Sequence, residues 1–216
     1  MTALEEFTPP PPGRKASKEV RRQQLIDATI VVLARKGFSA LTVADVAGVA
    51  GLSVGIINFH FDSKEKLLAD CLSYMAEEYY QNWQQNLATP GASTAEKMQL
   101  VLLGDFDPNI FTPDKLAAWI AFWGETQGRP VYIEICSKYD EEWSRSMASL
   151  CEKLIHEGQY GLSAPAVVRT LEALSDGLWL GVVSTQTRGK KTTSPVEARQ
   201  ALQAALMAFF PNHFQS

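Results

Sequence analysis

The chain has 216 residues, of which 46% are hydrophobic and 20% charged, and its formal net charge is −4. This composition is normal for a globular protein with a sizeable core. No run of about 18 apolar residues occurs, which excludes a conventional transmembrane helix. The opening MTALEEFTPPPP lacks the basic start and apolar centre of a signal peptide, so we expect a cytoplasmic protein that does not interact with membranes.

The residues that most often carry catalysis or bind metals form no familiar motif. Three cysteines are scattered without a CxxC pair: Cys71, Cys136 and Cys151. We therefore expect reduced thiols, with no disulfide and no zinc site. The three histidines are equally scattered, and the sequence has no HExxH motif or glycine-rich phosphate loop. We expect neither an enzyme nor a bound metal or cofactor.

Charge is distributed unevenly along the chain. Residues 14–66 carry nine Lys and Arg against five Asp and Glu, whereas residues 67–216 carry eleven against seventeen. A basic N-terminal quarter on an acidic body is typical of a nucleic-acid-binding module joined to another domain. Residues 1–17 are predicted to be a disordered, basic arm. Its Arg14 and Lys15, with Arg21 just beyond, are candidates for DNA contact, although a merely solvated tail remains the alternative.

The first predicted helix covers about residues 18–36. Its apolar residues recur every three or four positions, which indicates one buried face. Gly37 is expected to end this helix, and Phe38 and Leu41 are expected to pack at the junction that follows.

Two short helices are predicted next. Thr42 is a candidate N-cap for the first, and Gly51 suits the left-handed conformation that ends a helix. Ser53 then begins a helix over about residues 54–60. This arrangement is typical of a helix-turn-helix, whose second helix lies in the DNA major groove, although spacing alone also fits an ordinary helical hairpin.

Six further helices are predicted, and no strand alternation of any length occurs. They cover about residues 64–88, 94–104, 113–127, 130–158, 163–186 and 195–210. The fold is therefore predicted to be all-α with about nine helices. The last two are rich in apolar residues, so we expect them to form the four-helix interface of a homodimer.

Aromatic residues cluster on two of these helices. Trp119, Phe122 and Trp123 share one helix face, and Trp179 follows Asp176 by three residues. They fit either an ordinary core or a cage for a quaternary ammonium ion, held by cation–π attraction and a carboxylate. Further candidates for such a site are Glu125, Asp105, Asp107, Tyr132 and Tyr139.

Several motifs carry a family resemblance. KGF ends the first helix, GLSVG leads the recognition helix, and FHF and SKEKLL follow. Together they resemble the TetR family of bacterial repressors. The segments RRQQLIDAT, SVGIINFHF, LAAWIAFWGE and DGLWLG are also similar to the choline-sensing BetI group within it.

The resemblance implies a function for each part of the chain. A helix-turn-helix domain over residues 18–64 would bind operator DNA, and residues 65–216 would bind a ligand and form the dimer. A small molecule, choline in this group, would release the repressor from genes for glycine-betaine synthesis. A different hydrophobic or cationic ligand, such as a drug or lipid, is the alternative.

The predicted DNA contacts centre on the recognition helix. They are Thr42, Ser53, Val54, Gly55, Ile56, Asn58, Phe59, His60 and Lys64. Val54 and Ile56 are expected to meet thymine methyl groups, whereas Thr42 and Lys64 are expected to contact phosphates. Many relatives have tyrosine in place of Asn58 and His60, which leaves the roles of these two residues open, and Phe59 fits either core or groove.

Overall fold

The computed structural model describes residues 17–107, 112–125, 128–188 and 193–214, and these residues are mainly helical with no strand among them. The helices are α1 Lys18–Ala40, α2 Val43–Ala50, α3 Val54–His60, α4 Lys64–Leu87, α5 Thr94–Gly104, α6 Pro113–Trp123, α7 Pro130–Gly158, α8 Ala164–Arg188 and α9 Pro195–Phe209. The predicted all-α fold is confirmed. Arg14 and Lys15 lie outside the described residues, so the predicted arm stays a prediction.

The first helix is kinked at the residue expected to end it. Gly37 has a φ of 73° and a ψ of 177°, and one more helical turn follows it before Leu41. Phe38 in that turn is buried. The kink therefore turns the end of α1 inward, toward the helices that follow.

Hydrogen bonds position the helix-turn-helix, whose helix α2 is capped at Thr42 and at Gly51 as the sequence indicated. Thr42 and Asp45 form a capping box at the start of α2, and Gly51 ends that helix with a φ of 65°. The Gln24 Nε2 donates to the Ala50 carbonyl at 2.7 Å, which fixes α1 against the end of α2. The turn thus holds α2 and α3 at an angle of 104°.

Helix α4 is central to the packing of the helices next to it. It contacts α5 and α7, while α6 lies against both α1 and α8, and α8 also contacts α7 and α9. One continuous hydrophobic core extends from α1 to α9. The predicted division near residue 64 stays a prediction, since the core runs across it. Helix α6 ends at Trp123, earlier than expected, with Gly124 as its C-cap.

Many apolar residues of α8 and α9 complete the core of the monomer, and the predicted interface stays a prediction. Most of those that indicated a dimer interface are buried inside the monomer, including Val167, Leu171, Leu202 and Leu206. These residues are therefore no argument for an interface, because they already complete the core of one chain.

Two further findings concern helix length and cysteine state. Within the described residues no single helix is long and apolar enough to cross a membrane, although α2 and α3 reach that length and composition together across their bend. All three cysteines are free thiols, and burial raises the pKa of Cys136 and of Cys151 to about 12.

Candidate functional site

Helix α3 presents a largely apolar outer face. Ile57 is buried and anchors the helix, whereas Val54 is 42%, Ile56 37% and Phe59 71% exposed. Gly55 lies one turn before Phe59 on the outward side, and little surrounds it except the Ser53 side chain. Phe59 is therefore a surface residue. Phe61, in contrast, is buried.

Cations from the start of α1 lie beside this face. The Lys18 Nζ is 5.7 Å from the centre of the Phe59 ring. The Arg22 guanidinium lies 5.5 Å from the Phe61 ring and forms an ion pair with Asp70 at 2.9 Å. Positive charge therefore flanks α3 from a neighbouring helix, where phosphates would lie if α3 entered a groove.

Three of the residues predicted to contact DNA form hydrogen bonds within the protein, and a fourth, His60, is half-buried. The Thr42 hydroxyl is part of the capping box, and the Lys64 Nζ donates to the Leu41 carbonyl at 2.5 Å. Arg21 donates to the Gln24 side chain at 2.7 Å. His60 is half-buried, and desolvation, followed by the nearby Lys18 and Arg22 charges, lowers its pKa. Ser53 and Asn58 are exposed.

A cavity of about 350 Å³ lies between α4, α6, α7 and α8. Aromatic side chains form much of its wall: Tyr79, Trp119, Phe122, Trp123, Tyr132, Trp143 and Trp179. The Trp123 and Trp179 rings are stacked, with centroids 5.6 Å apart and planes 7° from parallel. Tyr79 meets the edge of Trp179 at 6.1 Å. The predicted aromatic residues of α6 and α8 are thus brought together in one wall.

Acidic residues form the polar part of the same wall: Asp105, Asp140, Glu172 and Asp176. Burial raises the pKa of Asp105 to about 7, although hydrogen bonds from Ser175 and Tyr79 oppose that rise. Burial, with the nearby Glu172 and Asp176 charges, raises the pKa of Asp140 to about 6. Burial and Glu172 also raise the pKa of Asp176.

Asp105 is the carboxylate enclosed most completely. It is 2% exposed, and the Ser175 Oγ donates to its Oδ2 at 3.0 Å. Its Oδ1 is buried without a hydrogen-bond partner in the structure. No Lys, Arg or His lies among the described residues that line the cavity. A bound cation would give these carboxylates a positively charged partner.

Two predicted cavity residues lie elsewhere. Glu125 pairs with Arg129 at 3.6 Å beyond the end of α6. Tyr139 is at the edge of the α7 face, where its hydroxyl donates to Glu77 at 2.6 Å. Its ring packs on Tyr80 at 5.0 Å. Hydrogen bonding to α4 thus directs the Tyr139 side chain away from this cavity, and the ligand-binding roles of both residues stay predictions. Asp107 is likewise absent from the cavity wall.

Sequence reasoning missed other cavity residues, notably Tyr79, Asp140, Trp143 and Glu172. A signal for two of them was present on α7. Tyr132, Cys136, Asp140 and Trp143 recur at a spacing of three or four residues, which places them on one helix face.

Three packed aromatic rings connect the cavity to helices α1, α2 and α3, which together we call the DNA-reading unit. Phe38 at the end of α1 lies 6.0 Å from Phe122 and 5.9 Å from Tyr132, both of which line the cavity. Phe122 and Tyr132 are 5.5 Å apart. The Arg129 guanidinium covers Phe38 at 4.9 Å and Tyr132 at 5.9 Å. The cavity wall and the end of α1 therefore share contacts.

A helix-turn-helix joined through packed rings to a partly open cavity of aromatic and acidic residues defines a ligand-responsive DNA-binding regulator. The family model for bacterial regulatory proteins of the tetR family matches residues 25–71. The model for the C-terminal domain of BetI-type transcriptional repressors matches residues 94–211. The chain belongs to the TetR family and is a transcriptional repressor of the BetI type, as the sequence motifs indicated.

Relatives of known class agree with this assignment. The chain is 30% identical to the HTH-type transcriptional regulator BetI of Escherichia coli (strain SMS-3-5 / SECEC), covering 76% of this chain and 82% of that protein. The Klebsiella pneumoniae (strain 342) regulator of the same name is 31% identical, covering 74% of this chain and 81% of that protein.

Solved structures show the same fold. A transcriptional regulator from Pseudomonas aeruginosa PAO1 superposes with a TM-score of 0.74 at 24% identity, over 93% of this chain and 97% of that one. A regulator from Saccharomonospora viridis in complex with choline gives 0.72 at 23% identity, over 86% and 95%. Regulators of this family bind operator DNA and act as dimers with small-molecule effectors.

Proposed function

We propose that the cavity binds choline and that binding releases the repressor from operator DNA, so that the protein controls genes for conversion of choline to glycine betaine. The observation that carries this proposal is an aromatic wall with four carboxylates and, among the described lining residues, no basic side chain. Aromatic faces attract a quaternary ammonium by cation–π interaction, which is strongest when the contact is desolvated. The regulators named BetI and the choline complex of a protein with this fold support it.

The same charges predict selectivity against glycine betaine. Choline carries a cation and a hydroxyl group, whereas glycine betaine carries a cation and a carboxylate. The carboxylate would lie near Asp105, Asp140 and Asp176, where like charges repel. The hydroxyl of choline can instead donate to the unpaired Asp105 Oδ1. We therefore expect the cavity to bind choline more tightly than glycine betaine.

A larger organic cation is the second candidate. A cavity of about 350 Å³ has room for on the order of ten water molecules, and choline is smaller than that. Tyr132 and Trp143 line the cavity from positions three turns apart on α7, so an elongated cation also fits. In that case, the protein would bind the elongated cation more tightly than choline in titration calorimetry.

We infer that the functional unit is a homodimer formed by the outer faces of α8 and α9. On α8 the exposed residues Ala166, Thr170, Ala173, Gly177 and Leu180 recur every three or four positions. Small side chains allow two helices to approach closely, and Leu180 adds apolar area. A two-fold dimer also presents two recognition helices to successive major grooves. The protein acts in the cytoplasm, by binding rather than by catalysis.

Titration calorimetry with choline and with glycine betaine tests the effector assignment. We expect choline to bind at one site per chain and glycine betaine to bind at least tenfold more weakly. Tighter binding of a longer quaternary ammonium would favour the second candidate. An absence of heat with every quaternary ammonium tested would contradict the proposed effector class.

A further inference from the structure

The outer face of α3 carries apolar residues where charged or polar residues would be expected on a solvent-exposed helix. Val54, Ile56 and Phe59 are all exposed, and Phe59 lies near the centre of the outward side, one turn after Gly55. Several exposed apolar side chains on one short helix are a candidate interaction surface. The partner of α3 must therefore offer apolar groups of its own.

Helix α3 contributes almost no positive charge to that surface. It contains no Lys or Arg. Its one titratable residue, His60, is half-buried, with a buried Nδ1 that has no hydrogen-bond partner. Desolvation and the adjacent Lys18 and Arg22 charges lower its pKa, so it is neutral at physiological pH. Phosphate attraction must come from outside α3.

The major groove offers one apolar group on its base edges, the 5-methyl group of thymine. We propose that α3 reads its half-site through thymine methyl groups, with Phe59 as the main specificity residue and Val54 and Ile56 as its neighbours. This inference rests on operator binding by the helix-turn-helix. It adds the chemical feature of the operator that this chain recognises.

The surroundings of Phe59 fit that role. The Lys18 Nζ lies 5.7 Å from its ring centre, which supports the ring from α1 and places an ammonium beside the groove. Gly55 has little around it, so no side chain separates the ring from DNA that approaches the helix. The exposed Asn58 adds a group able to hydrogen-bond a base edge.

The test uses the full chain and an operator selected by that chain from random duplex DNA. Each thymine of the half-site is replaced in turn by deoxyuridine, which keeps the base pair and removes only the methyl group. We expect affinity to fall about three- to fivefold for each contacted methyl. The Phe59→Ala variant is expected to bind the thymine and uracil operators equally at contacted positions.

Two further variants make the result specific to Phe59. Phe59→Leu keeps an apolar side chain and is expected to retain part of the difference between thymine and uracil. Leu100→Ala removes an exposed apolar residue on α5 and is expected to retain all of it. Because Phe59 is exposed, its replacement should leave the melting temperature unchanged.

Equal affinity of the parent protein for the thymine and uracil operators would overturn this inference while leaving operator binding intact. A difference that persists undiminished in Phe59→Ala would also overturn it. Failure to select any DNA sequence would instead contradict operator binding itself.

Discussion

Trp123 and Trp179 stack face to face, with ring centroids 5.6 Å apart and planes 7° from parallel. Trp123 is 37% exposed at the end of α6, whereas Trp179 is buried on α8. The residue before Trp123 is Phe122, which contacts Phe38 of α1. One helix end therefore forms both the aromatic wall of the cavity and a contact with the DNA-reading unit. A ligand that displaces this end would alter both.

Replacement of Trp123 tests the aromatic wall. Trp123→Ala is expected to weaken choline binding about tenfold, because Trp123 is partly exposed and a cation–π contact contributes about 0.5–1 kcal/mol at an exposed site and about 2 kcal/mol at a desolvated one. Trp123→Phe is expected to lose less, because an aromatic face remains. Calorimetry measures both.

Tyr139→Phe is the matched control, since the Tyr139 hydroxyl bonds Glu77 outside the cavity. Its choline affinity should equal that of the parent protein. A loss as large as that of Trp123→Ala would show that the binding site is not this cavity.

Arg129 tests the coupling between the cavity and α1. It covers Phe38 and Tyr132 from the surface, so Arg129→Ala removes this cover without opening the core. We expect Arg129→Ala to bind choline with an affinity within about twofold of the parent value. We also expect this variant to need an at least fivefold higher choline concentration before it releases the operator. Calorimetry and an operator-binding titration give the two quantities.

Arg145→Ala is the control for this variant, because the Arg145 side chain contacts only the backbone of its own helix among the hydrogen bonds described. Both quantities should be unchanged in it. If Arg129→Ala releases the operator at the parent choline concentration, the coupling does not depend on this cluster.

Choline binding is expected to depend on pH between about 6 and 8. The cation binds the ionised carboxylates, and burial raises the pKa of Asp105 to about 7 and of Asp140 to about 6. Protonation therefore competes with choline, so affinity should fall as pH is lowered from 8 to 6. Calorimetry in buffers of different ionisation enthalpy should detect proton release on binding at pH 7. Asp105→Asn should reduce that release.

In the absence of choline, ionisation of Asp105 is expected to lower the stability of the folded protein as pH rises, whereas the same ionisation strengthens choline binding. Its pKa lies above the ordinary value of 3.8, so the folded protein binds this proton more tightly than the unfolded chain. Its contribution to the free energy of unfolding is therefore greatest below about pH 4 and is lost as pH rises through about 7. Asp105→Asn should flatten this decline in thermal melts, and an unchanged decline would assign it to other groups.

A charge on the outer face of α8 tests the dimer. Ala173→Glu places a carboxylate at the centre of the exposed stripe, where it would be buried against its own copy in a two-fold interface. We expect monomers by light scattering at micromolar concentration and loss of high-affinity operator binding. Ser149→Glu on the exposed side of α7 should remain dimeric. A dimeric Ala173→Glu protein would place the interface elsewhere.

Local signals in the sequence were sufficient to locate the helix-turn-helix. The capping box at Thr42 and the left-handed Gly51 act over a few residues, so the pattern alone determined α2 and α3. Phe59 remained undecided because α3 is only two turns long, too short for periodicity to separate core from surface.

The cavity was less predictable because it depends on contacts between distant segments. Tyr139 and Trp143 are both aromatic residues of α7, yet only Trp143 reaches the cavity, because Glu77 of α4 binds the Tyr139 hydroxyl. Likewise, Val167 and Leu171 looked like interface residues but pack inside the monomer. Which neighbour an apolar face meets is a tertiary property that periodicity does not contain.

The central claim is that choline binding in this cavity removes the protein from DNA. The most direct measurement is fluorescence anisotropy of labelled operator DNA bound to the full chain, titrated with choline and, separately, with glycine betaine. We predict release by choline over the concentration range in which calorimetry shows binding, and no release by glycine betaine in that range. Choline that saturates the protein while the operator stays bound would contradict the claim.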